Sequence, residues 1–210
     1  MSFEAADRFA SCLAFVLFAF EVGACGLGDE FRPVAATCAF AALRISETLA
    51  LKWGDISFDD AMLYVREGKT SASAQSVPMI PELVAELQAQ RRRALLASFT
   101  RVASDAFVFV TATGKPQHRK NALRAVHAAG DAAGLNPEGA EKVGLHDLRH
   151  SCAGLLLAAG VPMPKVAAIL RHADARVTAT TYAGLVESDR AQLGTDLASA
   201  WDPVATSVAT

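Results

Sequence analysis

The amino-acid sequence predicts a mainly α-helical domain with a small antiparallel β-sheet. Two observations carry this prediction: most of the chain places apolar residues at helical spacing, and only residues 56–80 break into short β-prone runs. The chain has 210 residues, of which 52% are hydrophobic and 20% charged. A chain of this size can bury a core without disulfide or metal staples, and its composition excludes a disordered or collagen-like protein.

The first part of the chain predicts three helices, near residues 4–22, 31–41 and 46–52. The glycine-rich turn from Gly23 to Gly28 separates the first two helices. Residues 9–20 are apolar except for Ser11, but they are too few to cross a bilayer core of about 30 Å. They also lack the basic flank of a secretory signal, so we expect this helix to be buried against protein.

The middle of the chain predicts about three short strands, which cover residues 56–58, 62–65 and 77–80. The Asp59-Asp60 pair and a polar loop over 66–76 separate these runs, as in an antiparallel sheet. Pro81 then suits the first position of a helix, and Glu82 favours its first turn.

The rest of the chain predicts one extended segment and five more helices. Residues 106–110 indicate a short buried strand or extended segment. Gly134 and Gly160 stand where C-terminal caps are expected. The helices cover residues 117–133, 146–159, 163–170, 176–183 and 189–201.

Charge and cysteine usage narrow the class of protein. The net charge of −2 hides a positive middle, because residues 61–180 carry 15 basic and 9 acidic side chains. This distribution is compatible with a polyanionic partner and also with an ordinary enzyme. The four cysteines form no CxxC pair, which favours reduced thiols and a cytoplasmic protein.

Three short motifs carry candidate chemistry. They read Ala42-Leu43-Arg44-Ile45-Ser46-Glu47, then Leu145-His146-Asp147-Leu148-Arg149-His150, then Leu170-Arg171-His172 with Tyr182 ten residues after the histidine. In this order they resemble the catalytic domain of the tyrosine recombinase (phage integrase) family over roughly residues 30–187. The resemblance implies site-specific DNA recombination through a 3′-phosphotyrosyl intermediate, without cofactor or metal. The implied catalytic residues are Arg44, Lys69, His146, Arg149, His172 and Tyr182.

Each implied role suits its residue type. Two arginines would clamp the non-bridging phosphate oxygens, because a planar guanidinium holds two oxygens and stays charged. The two histidines would donate hydrogen bonds or handle protons, and Lys69 would protonate the leaving 5′-oxygen. Tyr182 would be the nucleophile, and its phenol, with a pKa near 10, needs help to lose its proton.

Ordinary structural roles compete with these assignments. Arg44 is spaced to form a surface ion pair with Glu47, and Arg149 could be a solvated helix arginine. His146 and His150 are four residues apart, which also suits zinc, but no carboxylate or cysteine set completes such a site. We expect His150 to be structural.

Double-stranded DNA is the partner that the resemblance implies. We expect the DNA backbone to be contacted by the basic residues around the start of the helix at 117–133. These residues are Lys115, Arg119, Lys120 and Arg124. The Arg91-Arg92-Arg93 triplet is interpreted as a solvated face. The apolar stripe of Leu193, Leu197 and Trp201 is expected to dock on a neighbouring protomer in a DNA-bound tetramer, or on its own domain.

The chain departs from the family pattern in two places. Residues 1–29 predict an apolar helix and turn rather than a complete core-binding domain, residues 30–187 the catalytic domain, and 188–210 a C-terminal helix and tail. Arg171 stands where the family has glycine, and a positive φ there would cost on the order of 1 kcal/mol. The alternatives are therefore an impaired DNA-binding domain that interferes with a full-length recombinase and, more distantly, a type IB topoisomerase.

Overall fold

The computed structural model describes residues 27–66, 75–98, 102–136, 138–139 and 141–171. This part of the chain confirms a mainly helical domain with a three-stranded antiparallel sheet. Several predicted features lie outside the described residues: the helices near 4–22, 176–183 and 189–201, the site residues Lys69, His172 and Tyr182, and the C-terminal stripe.

Six α-helices are described, and each overlaps a predicted one. They are α1 (Arg32–Phe40), α2 (Ile45–Ala50), α3 (Pro81–Ser98), α4 (Arg119–Ala132), α5 (Leu145–Ala158) and α6 (Met163–Ile169). Helix α3 begins at the predicted proline. Helix α4 begins later than predicted because His118 caps it: its Nδ1 accepts a hydrogen bond from the backbone N–H of Lys120 at 3.1 Å.

Helix α1 lies at the centre of the domain. Its residues from Pro33 to Ala39 are all buried, and it contacts α2, α3, α4 and α5. Most of these side chains are small, so neighbouring helices can approach from several sides. Because Arg44 immediately precedes α2 and Arg149 lies on α5, this central helix helps to fix the distance between the two arginines.

The sheet consists of β1 (Ile56–Ser57), β2 (Met62–Val65) and β3 (Gln75–Pro78), paired in that order. Leu63 lies opposite both Ile56 and Val77. The third strand was predicted over 77–80, which is wrong at both ends. It begins at Gln75 because a strand on a half-exposed sheet pairs through its backbone and does not need apolar side chains there.

The segment from Ala106 to Val110 is not a strand of the sheet, and its backbone bends at Ala106, Val108 and Phe109. It makes isolated bridges, Lys52 with Phe107 and Val110 with Pro116. The predicted caps are confirmed, since Gly134 and Gly160 have φ of 70° and 76°.

A second apolar cluster supports the candidate site. It consists of Ala42, Cys152, Ala153, Val166 and Leu170, and it packs α5 and α6 against the connection between α1 and α2. Within the described ranges, no helix has the length and apolarity that crossing a bilayer needs.

Candidate active site

Arg44 is held at the first turn of α2 by Glu47. The backbone N–H of Arg44 donates to Oε2 of Glu47 at 2.8 Å, and its Nη1 donates to Oε1 at 2.9 Å. The Arg44 side chain is 40% exposed, whereas that of Glu47 is 5% exposed. The competing interpretation of an ion pair is therefore right about the contact, but the pair is anchored on the buried Glu47 and leaves part of the Arg44 side chain exposed.

Arg149 is buried in α5. Its Nη1 donates to the carbonyl of Ala42 and its Nη2 to the carbonyl of Leu170, and the residue is only 2% exposed. The alternative of a solvated helix arginine is wrong, because backbone carbonyls of two distant segments replace water around the guanidinium. This side chain thus joins the start of the first motif to the start of the third.

His146 stands in the first turn of α5, on the exposed surface. Asp147 fixes this turn, since its Oδ2 accepts the backbone N–H of Gly144 at 2.8 Å. Desolvation of the imidazolium and the positive charges of Arg149 and Arg44 lower the pKa of His146 below its usual 6.5. At neutral pH the imidazole is therefore uncharged, with one nitrogen that donates and one that accepts.

His150 packs its ring edge against His146, with the ring centroids 4.4 Å apart. Among the described residues, no group of three His, Cys, Asp or Glu side chains gathers where a metal ion could lie. The structural role that the sequence predicts for His150 stays a prediction.

Arg171 reaches the same site from the end of α6. Its Nη2 donates to Oε2 of Glu47 at 2.5 Å, and its φ is 52°. The sequence pointed to a positive φ at this position, because the family has glycine there. It did not predict the contact with Glu47. Burial opposes ionisation of Glu47, yet the N–H of Arg44 and the charge of Arg171 outweigh it and hold the pKa of this carboxyl below its usual value.

Two cysteines lie beneath these residues. Cys38 and Cys152 are free and buried, and burial raises the pKa of each thiol to about 11. Neither has the lowered pKa of a reactive thiol, so the site chemistry does not involve them.

An exposed basic surface borders the site. Its four members were predicted to contact DNA, and all four are exposed: Lys115, Arg119, Lys120 and Arg124. Nη2 of Arg124 donates to Oδ1 of Asn121 at 2.6 Å, which orients its guanidinium. Arg119 lies near enough to His146 to help lower its pKa. We call these four residues the basic surface.

The structure thus brings Arg44, His146 and Arg149 into one region and adds Glu47 and Arg171 to them. The remaining catalytic candidates lie outside the described residues. The sequence pattern of the phage integrase family matches residues 34–188. The chain belongs to the phage integrase family.

Two curated members of this family show the relationship in sequence. A tyrosine recombinase XerC-like protein of Caldanaerobacter subterraneus subsp. tengcongensis is 27% identical over 176 residues, which cover 70% of this chain and 44% of that protein. Tyrosine recombinase XerA of Pyrococcus furiosus is 30% identical over 139 residues, which cover 65% of this chain and 44% of the relative. The chain therefore spans less than half the length of the relatives that it matches.

Solved structures show the same fold. A crystal structure of XerA recombinase has a TM-score of 0.62 at 20% identity and covers 90% of this chain and 64% of its own. XerH recombinase, in a post-cleavage complex with a palindromic difH substrate, has a TM-score of 0.62 at 21% identity and covers 96% and 52%. At these identities the likeness establishes the fold, which is that of tyrosine recombinases.

Proposed function

We propose that this chain cleaves and rejoins DNA strands in site-specific recombination, through a covalent 3′-phosphotyrosyl intermediate. The observation that carries the proposal is the convergence of Arg44, Arg149 and His146, which come from two motifs about one hundred residues apart, beside an exposed basic surface. The related XerH structure is a post-cleavage complex with DNA, and a Tn1549 transposon integrase was solved with circular intermediate DNA.

The proposed step follows from the charge on the phosphate. The Tyr182 oxygen attacks the scissile phosphorus as its phenolic proton passes to the neutral imidazole of His146, an oxygen–phosphorus bond forms, and the bond to the 5′-oxygen breaks. Lys69 gives its proton to that oxygen, which leaves as a hydroxyl. Because the phosphotyrosine keeps the energy of the broken bond, a 5′-hydroxyl can reverse the step without ATP.

Arg44 is the better placed of the two arginines to meet the phosphate directly. Its side chain is 40% exposed, whereas Arg149 is buried and donates to two carbonyls. Fixed cations stabilise the charge that develops on phosphate oxygens because they need no reorganisation during the reaction. Arg149 would therefore contribute charge and, above all, the position of its neighbours.

His146 would act as a neutral group. An uncharged imidazole can accept the phenolic proton or donate to a phosphate oxygen, and the lowered pKa keeps it in this form at neutral pH. His172 would supply a further donor. The basic surface would track the DNA backbone and contribute affinity that falls with salt.

The proposal also includes the division of the chain into segments. Residues 30–187 would form the catalytic domain, residues 1–29 an apolar helix and turn, and residues 188–210 a tail helix that joins protomers of a DNA-bound tetramer. Deleting 188–210 and comparing the size of the DNA complexes tests the tail, because unchanged assembly would contradict exchange between protomers.

Since the target sequence is unknown, the test uses a pool of duplexes with randomised sequence and one nick. Cleavage near the nick releases a short oligonucleotide and traps the protein on the DNA. We expect a covalent adduct that survives denaturant, maps to Tyr182 by mass spectrometry and is lost in Tyr182→Phe. Sequencing the trapped DNA would give the recognition site.

The other outcomes identify the alternatives. DNA binding by the wild-type protein without any adduct would overturn the proposal and favour the non-catalytic DNA-binding domain. Relaxation of supercoiled plasmid without sequence preference would favour a topoisomerase. Loss of the adduct in Tyr64→Phe, with Tyr182→Phe still active, would show that the nucleophile is assigned wrongly.

A further inference from the structure

Arg171 carries three energetic costs at once. Its φ of 52° is a left-handed conformation that favours glycine. Its side chain is 1% exposed, so the guanidinium has lost its water. Among the described residues, its Nε and Nη1 have no hydrogen-bond partner. A specific favourable contact must offset these costs.

Glu47 holds it, and Glu47 also holds Arg44. Oε2 of Glu47 accepts from Nη2 of Arg171 and from the backbone N–H of Arg44, while Oε1 accepts from Nη1 of Arg44. The carboxylate is therefore shared between two guanidinium groups. One of these, Arg44, is exposed and placed to meet a phosphate, and the other is enclosed.

The shared carboxylate changes the charge that a phosphate would meet. Arg44 and Glu47 alone form a neutral pair, so the carboxylate would cancel much of the attraction of Arg44 for an anion. With Arg171 the group of three carries a net positive charge. Because Glu47 and Arg171 are buried, the charge that Arg171 adds is weakly screened, although the Arg44 side chain is itself 40% exposed.

The same contact also fixes geometry. Arg149 joins the carbonyls of Ala42 and Leu170, and Glu47 joins Arg44 to Arg171, so two links run side by side between residues 42–47 and 170–171. The next residue in the chain is His172. A link at Arg171 therefore restrains both the start of α2 and the beginning of the third motif.

We propose that Arg171 is a positioning residue of the cleavage reaction, which acts through Glu47 to hold the Arg44 guanidinium and to keep the phosphate site positively charged. This inference rests on the proposed recombinase function. It assigns to the non-glycine residue a role that the family pattern does not contain.

The experiment compares variants that separate charge from packing. Arg171→Gln removes the charge, Arg171→Lys keeps it, and Arg171→Gly removes both the charge and the backbone strain. The matched control is Arg92→Gln, which removes an exposed arginine on α3. Each variant is assayed for the rate of adduct formation on saturating DNA isolated from the pool and, separately, for DNA affinity.

We expect Arg171→Gln and Arg171→Gly to slow adduct formation about 10-fold or more, with DNA affinity within about 3-fold of wild type. Arg171→Lys should recover most of the rate, which a purely structural role would not predict. In a Glu47→Gln background, where the carboxylate charge is already gone, adding Arg171→Gln should slow the reaction by less than it does in wild type.

The outcomes distinguish this inference from the function on which it rests. If wild type forms no adduct, the proposed function fails and the inference fails with it. If wild type forms the adduct and Arg171→Gln or Arg171→Gly reacts as fast, only the inference is overturned. Equal loss in Arg171→Lys and Arg171→Gln also overturns it. Should Arg171→Gln not fold, Arg171→Gly decides, because it relieves the positive φ.

Discussion

The guanidinium of Arg149 donates a hydrogen bond to the carbonyl oxygen of Ala42, which lies 107 residues earlier in the chain. Its other terminal nitrogen donates to Leu170, so one side chain joins three segments of the site. Ala42 has a φ of 49°, a conformation that aims its carbonyl without the help of glycine. The residue that the motif marks as catalytic is therefore also part of the scaffold.

Replacing Arg149 by lysine should destabilise the fold. A single ammonium cannot reach both carbonyls with the geometry of a guanidinium, so at least one buried carbonyl loses its partner. We expect Arg149→Lys to lower the free energy of unfolding by about 3 kcal/mol, measured by urea denaturation. Arg92→Lys, on the exposed face of α3, should change it by less than about 0.5 kcal/mol. A loss equally small in Arg149→Lys would contradict the bridging role.

Local patterns made most of the fold predictable. Pro81 marked the start of α3, Gly134 and Gly160 marked left-handed caps, and the residues from Met62 to Val65 formed a short β-prone run. Each of these signals acts within a few residues of the chain, so no tertiary information is needed to interpret it.

The features of the fold and the site that the sequence did not predict depend on contacts between residues far apart in the chain. Glu47 and Arg171 are 124 positions apart, and nothing near either one announces the other. The sequence predicted a phosphate-binding role for Arg149 but not its burial, because only the folded chain supplies the carbonyls of Ala42 and Leu170. The start of β3 at Gln75 was missed for a related reason, since its pairing with Val65 is a backbone contact that side-chain pattern does not record.

Glu47 should make stability depend on pH in the acid range. Its folded pKa is lowered from 4.5, so the folded state binds a proton less readily than the unfolded state. Its contribution is fully present above about pH 4.5 and is lost as the pH falls through the lower, folded value. We expect Glu47→Gln to reduce the free energy of unfolding by about 2 kcal/mol at neutral pH and by much less at about pH 3.

Urea denaturation across this range provides the measurement. The matched control is Glu82→Gln, an exposed carboxylate in the first turn of α3. The free energy of unfolding of Glu82→Gln, plotted against pH, should run almost parallel to that of wild type. If the curve of Glu47→Gln is equally parallel, then Glu47 does not have the perturbed carboxylate that the contacts with Arg44 and Arg171 produce.

His146 should titrate below its usual value. Desolvation and the charges of Arg149 and Arg44 disfavour its imidazolium, so its NMR titration midpoint should lie below pH 6.5. Because the unfolded chain takes up this proton first, the folded state loses stability as the pH falls below about 6.5. Arg44→Gln removes one repelling charge and should raise the midpoint, whereas Arg92→Gln should leave it in place. A midpoint unchanged by Arg44→Gln would mean that the two side chains are not electrostatically close.

The basic surface should give DNA binding a steep dependence on salt. Each cation that neutralises a phosphate releases counterions and contributes about 0.9 to the slope of log affinity against log salt concentration. We expect Lys120→Gln and Arg124→Gln each to reduce this slope by about one and to weaken binding to a short random-sequence duplex by similar factors. Fluorescence anisotropy at several salt concentrations measures both quantities.

Arg92→Gln decides whether the contact is specific to this surface. Arg92 has the same charge and is as exposed as the four basic residues, but it lies on α3 and not at the start of α4. If net charge alone governs binding, its loss should lower the slope as much as that of Arg124. If DNA lies along the basic surface, the slope of Arg92→Gln should equal that of wild type. Equal reductions in the two variants would show that net charge governs binding and would contradict a DNA path along the basic surface.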